Sequence, residues 1–226
     1  MNGNFQWPPL ESDPQIFTDY SQKAGLDSTV NFGEIYSLDY KEMQVIETPV
    51  LAVIVSYEQN QQPQLNNEQF ESANYVPFYM KQTGVLDNAC GLIAMIHSIG
   101  NNVDKVNLSD NSILQKFLSR NQNKSAEERA QDLENFQEFQ EVHHEFAEQG
   151  QSEHCEEQCD VKNHFVAFIY HQGNLVELDG LIQGPYIVKE KIKETELLDE
   201  TIEELRKRFM NGTISENLAL MYLTKN

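Results

Sequence analysis

Cysteine and histidine carry most of the nucleophilic and metal-binding chemistry open to a chain, and here three cysteines and six histidines are available. Cys90 lies in QTGVLDNACGLIAMIH, residues 82–97, just ahead of an apolar run with helical spacing. A helix starting there, capped by Asp87 or Asn88, would set the thiol among unpaired backbone N–H groups, where the macrodipole favours an anion. A nucleophile needs a base, and His97 is the nearest histidine. Seven residues along one helix amount to roughly 10 Å of axial separation, whereas proton transfer needs heavy atoms about 3 Å apart. His97 is therefore excluded as the base and read as a packed histidine near the helix end.

His164 is better placed. It opens HFVAFIY, which passes through HQGN into LVELDG, a pattern of two strands joined by a glycine-containing turn. An even-length turn around Gln172-Gly173 pairs Tyr170 with Leu175, or His171 with Asn174. Phe165, Ala167 and Ile169 then oppose Gly180, Leu178 and Val176, and His164 falls diagonal to Asp179. Diagonal neighbours lie roughly 7–8 Å apart at the backbone, within reach of an imidazole and a carboxylate. An odd-length turn would put them on opposite faces. A carboxylate beside His164 would orient the ring, raise its pKa and favour a thiolate–imidazolium pair with Cys90. His143, His144, His154 and His171 stand in loop or turn sequence without such a partner. Spacing alone leaves a plainer alternative open, in which Cys90 is a small buried hydrophobe and His164 a structural strand residue.

The surrounding pattern supplies both helices and strands. Asp13-Pro14 reads as an N-cap with proline at the first helical position, followed by Ile16, Phe17, Tyr20 and Ala24 on one face and Gly25 as a stop. VLAVIVSY, residues 50–57, reads as a buried strand, and Glu58–Glu71 as a surface loop. A helix is expected near Ser112–Arg120. Ser125-x-x-Glu128 forms a capping box for another, running to about Gln140. His143–Asn163 is polar and without apolar period, so it reads as a loop. Leu198, Ile202, Leu205 and Phe209 form a helical stripe ending at Asn211-Gly212, and Asn217–Leu223 a final strand. Intermixed helices and strands without a repeat predict one α/β or α+β domain.

The net charge of −20 argues against nucleic acid and anionic membrane surfaces and favours a basic partner. No apolar run approaches the roughly 18–20 residues of a membrane span. The start, MNGNFQWPPLESD, has neither a basic nor an apolar signal region, so cytosol or nucleus is expected. His154, Cys155 and Cys159 in HCEEQC invite a zinc reading. The CxxxC spacing in an acidic stretch offers neither a CxxC pair nor a fourth ligand, so these residues read as solvated loop.

In chain order, QWPPLESDP, PVLAVIV, YMKQTGVLDNACGLIAMIHSIGNN, SAEERAQDLEN, NHFVAFIY and LVELDGLIQGP together resemble the ubiquitin C-terminal hydrolases, a family of cysteine peptidases. The resemblance covers nearly the whole chain, as a single catalytic domain over residues 1–226. It implies a papain-like fold, an antiparallel sheet between helical layers, and a knotted backbone, a rare exception among folds. By motif it makes Cys90 the nucleophile, His164 the general base and Asp179 the orienting carboxylate. Gln82 and the backbone N–H of Cys90 would be the oxyanion donors. One departure stands out: about two residues more than the family pattern separate Gln82 from Cys90, so the Val85-Leu86 region is expected to loop out.

The resemblance further implies that His143–Asn163 is a crossover loop over the active site, admitting small or unfolded leaving groups. The implied substrate is a bond after the last glycine of ubiquitin, with Glu11, Asp13 and acids of that loop as candidate partners for ubiquitin's basic tail. Two alternatives remain beside it: a hydrolase of a related ubiquitin-like modifier, and a ubiquitin-binding protein with little turnover. Neither cofactor nor metal, nucleic acid nor membrane is expected, and a monomer is the default.

Overall fold

A strand as continuously apolar as PVLAVIV must be covered on both faces, and the fold is arranged around that requirement. A computed structural model describes residues 5–46, 49–59, 65–148 and 163–226. In order, its elements are α1 (Pro14–Lys23), β1 (Val30–Glu34), α2 (Tyr40–Met43), β2 (Val50–Gln59), α3 (Cys90–Gly100), α4 (Ile113–Asn121), α5 (Ala126–Glu134), α6 (Gln137–Ala147), β3 (Asn163–His171), β4 (Asn174–Leu178), β5 (Tyr186–Glu190), α7 (Leu197–Met210) and β6 (Ile214–Lys225). The strands form one sheet in the order β1-β6-β2-β3-β4-β5, every neighbour antiparallel. The α+β class and helical layers expected from sequence are thus present.

β2 lies centrally and alternates its side chains between two cores. Ala52 and Ile54 join Leu92, Met95 and Ile96 of α3 and the aromatic residues of α1, α4 and α6. Val53, Val55 and Tyr57 join Leu198, Ile202 and Leu205 of α7. Every residue of α3 is buried, as befits a helix apolar all round. Full burial of each large apolar side chain contributes about 1.5–3 kcal/mol.

Several predicted elements fall where the pattern placed them. Asp13 caps α1 through its carboxylate, which accepts from the N–H of Gln15 at 2.7 Å. Ser112 caps α4, and the Ser125–Glu128 capping box opens α5. Other expectations need correction. The helix predicted to run to Gln140 breaks at Asn135-Phe136, because turning there buries Phe136 against Phe117 and Phe139.

The predicted loop His143–Asn163 begins as helix: His143–Ala147 complete α6, and Phe139, Val142 and Phe146 are its buried stripe. Asn163 already belongs to β3, and residues 149–162, with HCEEQC, lie outside the described part. The loop predicted from Glu58 is shorter than expected, since β2 runs to Gln59 and Asn67–Gln69 form a short 3-10 turn. Finally, Phe209 is 47 % exposed and leaves the α7 stripe. Arg208 takes the inward position instead, forming a two-pronged ion pair with buried Glu177 of β4 at 2.6 and 2.9 Å.

Two histidines lie wholly in the interior. His97 accepts the N–H of Met80 at 3.0 Å. His143 donates from Nε2 to the carbonyl of Pro8 at 2.7 Å and packs against Trp7 and Tyr20. Burial pushes each pKa down to about 4. Half-buried His171 is shifted in the same direction. Between the unfolded value near 6.5 and about 4, the unfolded chain takes up protons that the folded one refuses. Stability therefore falls as pH drops through that window, on the order of 3 kcal/mol for each fully buried ring. Urea unfolding between pH 7 and pH 4.5 is expected to record this fall, and His143→Gln is expected to remove roughly half of it.

Candidate active site

Three structural elements converge on Cys90. The thiol occupies the first position of α3 and is 6 % exposed. The N-terminal segment packs alongside, with a Cβ added at Gly91 lying 3.4 Å from both Leu10 and Phe17. The expected side-chain cap is missing: Ala89 is the N-cap and no side chain bonds the helix start. Asp87 and Asn88 point into solvent instead. The leading N–H groups of α3, including that of Cys90, have no acceptor within the helix. They are free to face a thiolate or an oxyanion.

His164 and Asp179 meet as the even-length turn requires. The register pairs Ala167 with Leu178, Ile169 with Val176, and His171 with Asn174. Gln172 and Gly173 both carry positive φ, 49° and 85°, the backbone of a type I′ turn matched to strand twist. His164 Nε2 lies 2.7 Å from Asp179 Oδ1, with both side chains about nine-tenths buried. With Nε2 committed to the carboxylate, Nδ1 is the nitrogen left for the sulfur. Burial opposes charge on this ring, but hydrogen bonds to Asp179 and Cys90 and the charges of both outweigh it. The imidazole pKa rises to about 10. The ring is thus imidazolium at neutral pH, suited to an ion pair with a thiolate.

Gln82 is held beside this group through its backbone. Its N–H donates to the carbonyl of Gly180 at 2.9 Å. A Cβ at position 180 would lie 2.9 Å from Gln82 Cβ and N, so only glycine allows this approach. The Gln82 side chain donates from Nε2 to the carbonyl of Asp87 at 2.8 Å. A carbonyl can only accept, so the amide orientation is fixed, and the second N–H of Nε2 stays available. The Val85-Leu86 region, expected to loop out, forms a turn that is anchored to the core. Leu86 is fully buried in the main core and Val85 packs against it. The turn is closed by Leu86 N–H to Thr83 and Ala89 N–H to Leu86.

The structure thus brings Cys90, His164, Asp179 and Gln82 together and places His97 elsewhere. Asp13 spends its carboxylate on the α1 cap, and Glu11 accepts the Asp13 N–H through its carbonyl. Sequence reasoning missed the Asp87 carbonyl, which no side-chain pattern announces. It also passed over Tyr79, although a buried tyrosine hydroxyl within an apolar PFYM run requires a partner.

Comparisons with known proteins fit this geometry. Residues 7–211 match the family described as ubiquitin carboxyl-terminal hydrolase, family 1. A probable ubiquitin carboxyl-terminal hydrolase of Dictyostelium discoideum is 32 % identical over 229 residues, covering 97 % of this chain and 88 % of that protein. A ubiquitin carboxyl-terminal hydrolase of Aplysia californica is 30 % identical, covering 93 % and 97 %. Among solved structures, the Trichinella spiralis UCH37 catalytic domain bound to ubiquitin vinyl methyl ester superposes with a TM-score of 0.77. It is 22 % identical, and the match covers 100 % of this chain and 97 % of that one.

Asp179→Asn removes the carboxylate charge that supports the imidazolium. The His164 titration midpoint, read by imidazole NMR, is expected to fall from about 10 toward the ordinary value near 6.5. By linkage, the wild-type protein holds a stability increment below pH 6.5 that is lost as pH rises through about 10. The variant is expected to lose most of that alkaline dependence in denaturant titrations.

Proposed function

The chain belongs to ubiquitin carboxyl-terminal hydrolase family 1, and from that premise we propose that it hydrolyses amide, ester or thioester bonds after the C-terminal glycine of ubiquitin, with Cys90 as nucleophile. The observation that carries this reading is the buried His164–Asp179 pair at 2.7 Å set against a cysteine at the uncapped start of α3. In the scheme, the Cys90 thiolate attacks the carbonyl carbon. The developing oxyanion is received by the Cys90 N–H and the free N–H of Gln82. His164 gives its proton to the leaving group, the acyl-enzyme forms, and His164 then takes a proton from the water that releases ubiquitin. Asp179 keeps the ring oriented throughout and favours its charged form before the attack and again after it has taken the proton from water.

Ubiquitin is the partner proposed, its basic, glycine-ended tail suiting an acidic chain. Glu11, next in sequence to the Leu10 that flanks Gly91, and Asp13 with its second carboxylate oxygen are the residues proposed to meet that tail. The region between α6 and β3 is proposed as the crossover loop, favouring small or unfolded leaving groups. A free thiol suits the reducing cytoplasm or nucleus, and the protein is proposed to act as a monomer.

A fluorogenic C-terminal amide of ubiquitin tests the scheme. Cys90→Ala is expected to abolish turnover, and a ubiquitin bearing a C-terminal electrophile is expected to label Cys90 in the wild-type protein. Labelling at Cys155 or Cys159 instead, or tight binding without an acyl-enzyme burst, would overturn it. Gln82→Ala is expected to lower kcat by about 100–1,000-fold with little change in KM.

A further inference from the structure

The four-residue segment Tyr79–Gln82 runs beside the turn Asp179–Ile182 that follows β4, and it touches that turn at both ends. Gln82 N–H donates to Gly180. Three residues earlier, the Tyr79 hydroxyl lies 2.9 Å from the carbonyl oxygens of both Asp179 and Ile182, one proton shared between two acceptors. Within the turn, Asp179 Oδ1 accepts the Leu181 N–H at 2.8 Å while also bonding His164, so the carboxylate rotamer is set by the turn's shape. Whatever fixes the turn therefore fixes the carboxylate.

Tyr79 is itself held firmly. It is fully buried, its ring stacks on His97 at 5.4 Å and 9°, and its carbonyl accepts from buried Arg129 at 2.7 Å. The next residue, Met80, donates its N–H to His97. Burial raises the phenol pKa, keeping the hydroxyl a neutral donor across the working range. Lys81 Nζ also donates to the Ile182 carbonyl. In this arrangement His97, rejected as the base, has a different use: it braces the splint that braces the site.

We infer that Tyr79 is a positioning residue for the reaction, its hydroxyl holding the Asp179–Ile182 turn so that the carboxylate stays aligned on His164. The inference rests on the assignment of His164 and Asp179 to catalysis. Tyr79 touches no reacting atom. Its effect passes through Asp179, and the same segment sets Gln82, so orienting carboxylate and oxyanion donor are registered by one piece of chain.

Tyr79→Phe deletes only the hydroxyl. With the ubiquitin amide substrate, kcat is expected to fall about tenfold, the worth of one well-made hydrogen bond, with KM within about twofold of wild type. The His164 midpoint, read by NMR without any substrate, is expected to move below the wild-type value. That measurement separates failure of this inference from failure of the ubiquitin assignment. In an Asp179→Asn background the same substitution is expected to cost little further, since both changes act through one carboxylate. An unchanged kcat and midpoint beside a lowered melting temperature would overturn the inference, as would fully additive effects in the double variant. Failure of Tyr79→Phe to fold would overturn it too, by making the hydroxyl a determinant of folding.

Discussion

Everything at this site depends on the register of one hairpin. His164 stands at the start of β3 and Asp179 just past the end of β4, so neither is brought to the other by a helix or a loop of its own. The pairing set by the two-residue turn at Gln172-Gly173 brings their backbones together, and the Asp179–Ile182 turn then sets the carboxylate rotamer. A slip of one residue would send the imidazole and carboxylate to opposite faces. It would also move Phe165, Ala167 and Ile169 out of the main core. The His164–Asp179 pairing and the hydrophobic core therefore enforce the same register, and the candidate site inherits the stability of the sheet.

Placing an ionised pair in the interior is costly unless each charge is compensated. Here the carboxylate oxygen that bonds His164 also accepts a backbone N–H, and the imidazole is compensated by hydrogen bonds to Asp179 and Cys90. The bare start of α3 completes the arrangement from the other side. A capping side chain would have occupied the N–H groups that an anion needs. Leaving Ala89 at that position gives up about 1 kcal/mol of helix stability, which the complete burial of α3 readily offsets.

Much of this was legible in residue order. The apolar periods marked several of the helices and strands, an even-length turn offered the register that the hairpin adopts, and helix rise alone removed His97. Most of the failures share a cause, contacts distant in sequence. Composition read His143–Ala147 as loop, because nothing local shows that His143 would pack on Trp7 and bond Pro8. Phe209 looked like core by spacing, whereas Glu177 on β4 draws Arg208 inward instead. The Phe136 break is set by an aromatic cluster in which Phe136, at the junction of α5 and α6, meets Phe117 of α4 and Phe139 of α6. Backbone partners were the least visible of all, since a carbonyl such as that of Asp87 belongs to any residue type.

The interval between Gln82 and Cys90 shows how added length can be absorbed by packing. Closing a flexible connection of seven residues rather than five costs only about 0.3 kcal/mol more. Burying the Leu86 side chain contributes about 1.5–3 kcal/mol, so the longer turn is anchored and not left to wander. That anchor also decides where the extra backbone goes: Leu86 turns inward, and the carbonyl of Asp87 comes to face the Gln82 amide. Since Gln82 itself is pinned to Gly180 rather than to the turn, lengthening the turn does not displace it. The added residues thus act on the orientation of the amide and not on its position, which is the property an oxyanion donor must keep.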